Sequence, residues 1–305
     1  MPSLRTYLPL KIRGGWAIDK PKVTPDITHL TRAENIIYDM AGTVRKRGGQ
    51  ARYNAAALQI AAVNCKFMGL FDYWKIGTSL SPTQKFVAHA DNGTTGTIYK
   101  DDGDGVWDDI TGGTNFEPGK HPCYTIFEDT LILTTDSTVD VPQKWPQTGN
   151  IANLAGTPPN FAYAVMHINR VFAAGVASNP SRLYYTGNLD SEDWTSGDSG
   201  SIDIDPEDGD RIMGIASHRG DLIVFKGPYK LSIHRLTGAT IATIARKVLA
   251  RGVGCAAHNS ILPAKNDLAF VDTLGIHSLN ATEVYGDFKE AFLSAPISTY
   301  WNSKI

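Results

Sequence analysis

Residues 212–227, IMGIASHRGDLIVFKG, hold the reading that decides the fold. Residues 222–227, LIVFKG, form a compact aliphatic and aromatic run of the kind buried on both faces of a sheet. A second apolar run precedes it, and the joint between them is the polar turn His218-Arg219-Gly220. Two strands around a short Gly-containing turn make a β-hairpin.

The hairpin recurs. Runs like 222–227 occur at residues 86–91 (FVAHAD), 131–136 (LILTTD), 171–176 (VFAAGV) and 268–273 (LAFVDT), and their starts are separated by 45, 40, 51 and 46 positions. Each follows a second strand: FMGLFDYW from Phe67, YTIFED from Tyr124, AYAVMHIN from Ala162 and NSILPAKN from Asn259. Each precedes a third: GTIYK, PQKW, RLYYTG, YKLSIHR and GIHSL. In two repeats an aspartate–tryptophan pairing comes next, at Trp107-Asp108 and Asp193-Trp194. Three or four antiparallel strands every forty-odd residues are the mark of a propeller blade. A β-sandwich would supply strands but not the repeated hairpin. The expectation is an all-β chain: a β-propeller of five clear blades, each an antiparallel four-stranded sheet, with an N-terminal extension open to supplying a sixth. Residues 1–65 read as an arm with opening strands, docking on or completing a blade, and residues 66–305 as the propeller. The best helical patterns, around residues 27–37 and 54–62, both precede the first repeat. A closed ring needs a strand from the opposite end of the chain, or it keeps an open edge.

Composition agrees with this. A chain of 305 residues buries about three quarters of its unfolded surface without staples. Charged residues are 20% and the net charge is −2, so no overall basic field draws in nucleic acid. Cys65, Cys123 and Cys255 are odd in number and far apart, which reads as reduced, mostly buried thiols. The N-terminus meets Lys11 and Arg13 before any apolar core, a poor signal peptide, and the run at residues 55–63 is too short to span a bilayer. A soluble protein without a membrane anchor, made in a reducing cytosol, is expected.

Residues 201–210, SIDIDPEDGD, carry five acids and look like a calcium loop. Counted from Asp203, the sixth position is Asp208 where Gly is required, and the twelfth is Gly214 where Glu is required. Residues 201–204 alternate as an outer strand does, and Pro206, Asp208 and Gly209 supply turn chemistry, so a solvated inter-blade turn is expected. The second acidic cluster, residues 101–105 (DDGDG), fails the same spacing, and DDGDGVWDD misses the aspartate-box pattern. The eight histidines include no HxxxH or HExxH; His167 and His218 fall at hairpin turns, where a solvated role is expected, and His234 and His277 within third strands, as satisfied edge or core residues. No P-loop and no nucleophile elbow is present. No catalytic, cofactor-binding or metal-ligating residue is nominated, no cofactor is expected, and a non-enzymatic protein is. The basic run at residues 45–52 suits a phosphate backbone or an acidic neighbour, and equally a solvated turn.

Residues 169–236 combine a strand ending Tyr184-Tyr185, the Glu192-Asp193-Trp194 turn, the acidic Asp208-Gly209-Asp210 turn, a Gly-containing strand and Leu222-Ile-Val-Phe-Lys226. This stretch resembles the propeller region of tail nozzle or tail-hub proteins from short-tailed double-stranded DNA phages. Residues 252–279 look like the blade that follows, and residues 34–54 are similar to the family's opening segment. The sequence stops at Ile305, soon after the fifth repeat, whereas nozzle proteins of this kind run on to a distal tip. A shorter hub or ring component is therefore expected, with other chains supplying the tip.

The resemblance implies a structural component of the virion tail, assembled in the host cytoplasm as a ring, sixfold by family likeness, below portal and connector. It would form part of the DNA ejection channel or a docking platform for other tail proteins. Its partners would be copies of itself, portal, connector or adaptor and other tail proteins, with genomic DNA passing without sequence-specific binding. A near-neutral wall suits such passage, because holding phosphate takes clustered Lys and Arg. The N-terminal arm, residues 1–25, is expected to lie on a neighbour. The alternative is a carbohydrate-binding or depolymerising propeller acting on a host surface glycan, with Trp74, Trp107 and Trp194 stacking on sugars, although repeated tryptophans also suit packing between blades.

Overall fold

The computed structural model describes residues 57–77 and 81–285 without further breaks, together with residues 15–16, 29–30, 36–38, 44–49, 51, 53 and 293–294. Five antiparallel sheets follow one another along the chain. Blade 1 runs through Lys66–Lys75, Thr83–Asp91, Gly96–Asp101 and Asp108–Asp109. Blade 2 comprises Pro122–Phe127, Thr130–Thr135, Gln143–Trp145 and Ala152–Asn153. Blade 3 comprises Tyr163–His167, Arg170–Ala174, Arg182–Tyr185 and Gly200–Asp203. Blade 4 comprises Arg211–His218, Asp221–Gly227, Ser232–Thr237 and Ala245–Arg251. Blade 5 comprises Leu262–Ala264, Asp267–Val271 and Ile276–Ser278. Every blade is a meander in chain order. The first strands of blades 1 to 4 lie against one another in succession and so surround the axis. The protein is a five-bladed β-propeller.

The doubly buried second strands explain the seams. Side chains alternate between faces along a strand. Leu222 and Val224 pack toward blade 3 with Phe172, Leu183 and Ile204, whereas Ile223 and Phe225 pack toward blade 5 with Leu268 and Phe270. Leu131 and Leu133 meet Tyr73, Val87 and Ile98 of blade 1, while Ile132 meets Phe161, Val171 and Ala173 of blade 3. Each of the four seams between consecutive blades thus has its own apolar cluster. On the remaining face of blade 1, Ala88, Ala90 and Tyr99 are covered by Leu58, Ile60, Cys65 and Trp107.

Tight turns fit the expected joints. Glu128 and Asp129, Ile168 and Asn169, and Arg219 and Gly220 all have positive φ, as two-residue hairpins matched to strand twist require. Where inner strands converge, space is scarce. A Cβ on Gly214 would lie 2.5 Å from Ile261, and one on Gly69 would strike Pro122. Both glycines sit at register shifts in their strands, so the Met-Gly pairs of blades 1 and 4 mark bulges at the axis.

Two expectations are corrected. Blade 5 has three strands among the described residues, and the helix Leu279–Tyr285 follows its third strand, with Leu279 buried against blade 4 residues. Blade 5's first strand is only Leu262–Ala264, because the upstream half of the apolar segment forms the 3-10 turn His258–Ser260. Short strands lie at His29–Leu30, Ile36–Tyr38 and Gln59–Ile60, within the two weak helical patterns that precede the repeats. The arm at residues 1–25 lies, except for residues 15 and 16, outside the described residues, as do residues 286–292 and 295–305.

Candidate functional site

The axis is filled at one end by the turn His258–Ser260. Its histidine reaches three other blades. The His258 ring stacks on Tyr163 of blade 3 at 4.7 Å, its Nε2 lies 3.3 Å from Cys123 Sγ of blade 2, and its Nδ1 accepts the Ile215 N–H of blade 4 at 3.4 Å. Asn259 donates to the Pro122 carbonyl at 3.4 Å. With Nδ1 accepting from backbone, the ring proton belongs on Nε2, facing sulfur. Cys123 in turn contacts the Ala164 carbonyl at 3.5 Å.

A thiol beside an imidazole invites a nucleophile reading, which the electrostatics oppose. Burial pushes the Cys123 thiol up to about 11 and the His258 imidazole down to about 4. Both are neutral at pH 7, whereas a reactive cysteine needs its thiolate. The pair is a latch, fixing blade 5 across the axis.

Beyond the latch the funnel opens into a cavity of about 220 Å³ lined by His121, Cys123, Asp136, Tyr163, Arg211, His258 and Asn259. It adjoins a second of about 300 Å³, which shares Asp136, Tyr163 and Arg211. Asp136 accepts the His121 N–H on Oδ1 at 2.8 Å, and Arg211 Nε donates to the Met213 sulfur at 3.2 Å. These residues come from the starts of first strands and the loops after second strands, so they gather at one face of the ring. No sequence motif marked them, since the blades bring together residues 121, 136, 163, 211 and 258.

The acidic stretch lies between blades 3 and 4, and the solvated turn expected there is corrected. Arg182 clasps Asp203 through two bonds of 2.7 and 2.9 Å, and Arg246 bonds Asp205 at 2.6 Å. The Lys226 ammonium is fully enclosed, donating to the Ile204 and Asp205 carbonyls at 2.6 and 2.7 Å and to the Asp208 carboxylate at 2.7 Å. Asp210 is buried and accepts the backbone N–H groups of Tyr229, Lys230 and Leu231 at 2.8 to 2.9 Å. Only Glu207 of the five acids is without such a role among the described residues. The resemblance to a calcium loop has a physical basis: two carbonyls and a carboxylate converge on a cation, and that cation is a lysine side chain. Residues 101–105 fold likewise onto their own carboxylate, with Asp101 Oδ1 accepting from Gly103, Asp104 and Gly105. No group of three or more His, Cys, Asp and Glu placed to hold a metal occurs among the described residues.

The histidines fall differently from expectation at one turn. His167 is buried, 2.9 Å from Ser217 Oγ and edge-on to Phe172, rather than solvated. His234 bonds Ser232 at 3.0 Å, and His277 lies 2.9 Å from the Asp272 carboxylate and stacks on Phe270. In the basic run, residues 46–49 and 51 are exposed. Trp194 packs on Phe161 at 5.3 Å, within the apolar cluster of the seam between blades 2 and 3.

A third feature lies on the face of blade 1 turned away from blade 2. An apolar groove of about 470 Å³ is lined by Tyr53, Phe67, Leu70, Phe71, Phe86 and Trp107, with Asp72 as its one carboxylate. Leu70 is 64% exposed, Trp74 47% and Phe67 43%.

No family model and no curated protein matches the chain. Among solved structures it is similar to a catalytically inactive virginiamycin B lyase from Staphylococcus aureus with quinupristin, at 14% identity and a TM-score of 0.45, covering 80% of this chain and 73% of that one. It is also similar to YCF48 bound to a peptide, at 12% identity and 0.40, covering 79% and 80%, and to a nidogen/laminin complex, at 10% and 0.43, covering 64% and 70%.

Proposed function

We propose that this protein is a non-enzymatic structural subunit of a phage virion tail, packing with copies of itself into a ring below the portal and connector. One observation carries the reading: on the blade 1 face away from blade 2, the second strand is covered but the first strand is left apolar and open among the described residues, with Leu70 64% exposed. The corresponding faces of blades 2 to 5 pack on the blade before them. An uncovered face of this type suits a second copy, in the head-to-tail contact that closes rings. The axis of each propeller is filled by His258, so a duplex moving through such an assembly would run between subunits.

Electron micrographs of the purified protein are expected to show rings, and labelled virions to carry it in the tail. Leu70→Asp is expected to leave folded monomers. Deleting residues 1–25 is expected to leave a soluble propeller that fails to join the tail. Absence of the chain from virions, or rings that persist with Leu70→Asp, would overturn the proposal.

The groove itself favours a second reading. Tyr53, Phe67 and Trp107 with Asp72 nearby offer stacking faces beside a hydrogen-bond acceptor, the chemistry of sugar recognition. Glycan-array binding that Trp107→Ala abolishes, or release of reducing ends, would select that reading over the tail subunit.

A further inference from the structure

The funnel on the axis carries two opposite charges that do not neutralise each other. Arg211 and Asp136 line both adjoining cavities, yet they form no ion pair with each other among the described residues. This contrasts with the seam between blades 3 and 4, where Arg182, Lys226 and Arg246 are each tied to an aspartate. Arg211 spends one N–H on the Met213 sulfur and keeps the rest of its guanidinium fork for another acceptor. Asp136 spends Oδ1 on the His121 N–H and keeps Oδ2 for another donor. The Tyr163 ring and the small apolar side chain of Ala162 line both cavities with them. The floor, Cys123 and His258, adds no charge at neutral pH.

We infer that the funnel is a binding site for a small zwitterion, an amino acid or a dipeptide, whose carboxylate meets Arg211 and whose ammonium meets Asp136. A guanidinium fork holds a carboxylate through two parallel bonds, and a carboxylate accepts an ammonium directly. The two cavities, about 220 and 300 Å³, match ligands of that size, and neighbouring Pro122, Met213 and Ile212 accept an apolar side chain. The inference is independent of the tail proposal, since it uses none of the blade 1 groove.

The test is calorimetric titration of the full-length protein with L-leucine, L-leucyl-L-leucine, their N-acetyl forms and their C-terminal amides. At least one of the two zwitterions is expected to bind, and which one does identifies the source. Blocking either charge is expected to weaken that ligand about tenfold or more, the usual scale for a hydrogen bond to a charged group. Arg211→Gln should weaken the zwitterion to the level of its amide, and Asp136→Asn to the level of its N-acetyl form. Asn at residue 136 keeps an oxygen for the His121 N–H, and thermal melting checks that both variants fold. Absence of binding by both zwitterions, equal binding of the blocked forms, or full affinity in either folded variant would overturn the site.

Discussion

The seam between blades 3 and 4 and the outer face of blade 1 are built from the same kind of sheet and finished in opposite ways. At the seam, Leu222 and Val224 meet a full apolar layer, and around it lie Asp203 on Arg182, Asp205 on Arg246 and Asp208 on Lys226. On blade 1 the equivalent strand presents Ala88 and Ala90, covered only by the short segment of Leu58 and Ile60 and by Cys65 and Trp107, beside a groove that leaves Leu70 in solvent. One face is locked and the other is left adhesive. In a repeat protein each blade resolves the same problem of covering two apolar faces, so the blade that does so incompletely is where a partner is expected.

The sharpest way to break this contrast is to remove the enclosed ammonium. Lys226→Met leaves Asp208 and two carbonyls unmatched and is expected to cost about 3–5 kcal/mol, the scale for stripping one partner from a buried pair. Denaturant unfolding measures it, and adding Asp208→Leu should restore part of the loss. If the single variant loses less than about 1 kcal/mol, the lock is decorative.

Acid should separate the two regions next. His89, in blade 1, is held down to about 4 by burial against the opposing pull of Asp91 and Asp136, with His121 adding to the depression, and His258 is held down to about 4 by burial alone. The unfolded chain, with histidine near 6.5, binds more protons in between. Stability is therefore complete above about pH 6.5 and falls as the pH drops toward about 4, by up to about 3 kcal/mol for each histidine. The seam's Asp203 and Asp205 are depressed despite desolvation, chiefly by their arginines. Their contribution persists above the ordinary carboxylate range and is lost only at lower pH. Unfolding midpoints from about pH 7.5 to 3 should thus fall in two stages, and His258→Gln should flatten the first.

Asp210→Ala frees three backbone N–H groups in the loop of residues 229–231 and is expected to cost about 2–3 kcal/mol, read by the same unfolding curves. The smallest effects belong to the surface. Arg182→Ala removes a cross-strand pair with substantial exposure on both sides, worth less than about 1 kcal/mol. Leu70→Asp should change stability by only about 0.5 kcal/mol, because that side chain is already wet.

Much of this architecture could be read from residue order alone. All five apolar runs became second strands, since burial on both faces leaves no polar alternation to confuse them with other elements. The tight joints at Glu128-Asp129 and Arg219-Gly220 were legible because their chemistry is local. What escaped was long-range. The acids of residues 201–210 looked solvated because Arg246 and Lys226 are distant in sequence, and the turn at residue 258 looked like strand because its contacts lie in three other blades. The funnel left no motif for the same reason, its charges arriving from residues 136 and 211. Short-range patterns determine elements, and only the stacking of the blades determines which side chains meet.

The latch at residue 258 has a consequence for synthesis. Its partner Cys123 lies 135 positions earlier, so the axis cannot be sealed until the turn that leads into blade 5 has left the ribosome. Blades 1 to 4 can stack as they emerge, yet the wedge that holds the inner strands of blades 2 to 4 together is delivered only after blade 4. The nascent chain therefore carries a hollow centre until residue 258 appears, and a turn made after blade 4 completes the packing of blades 2 to 4.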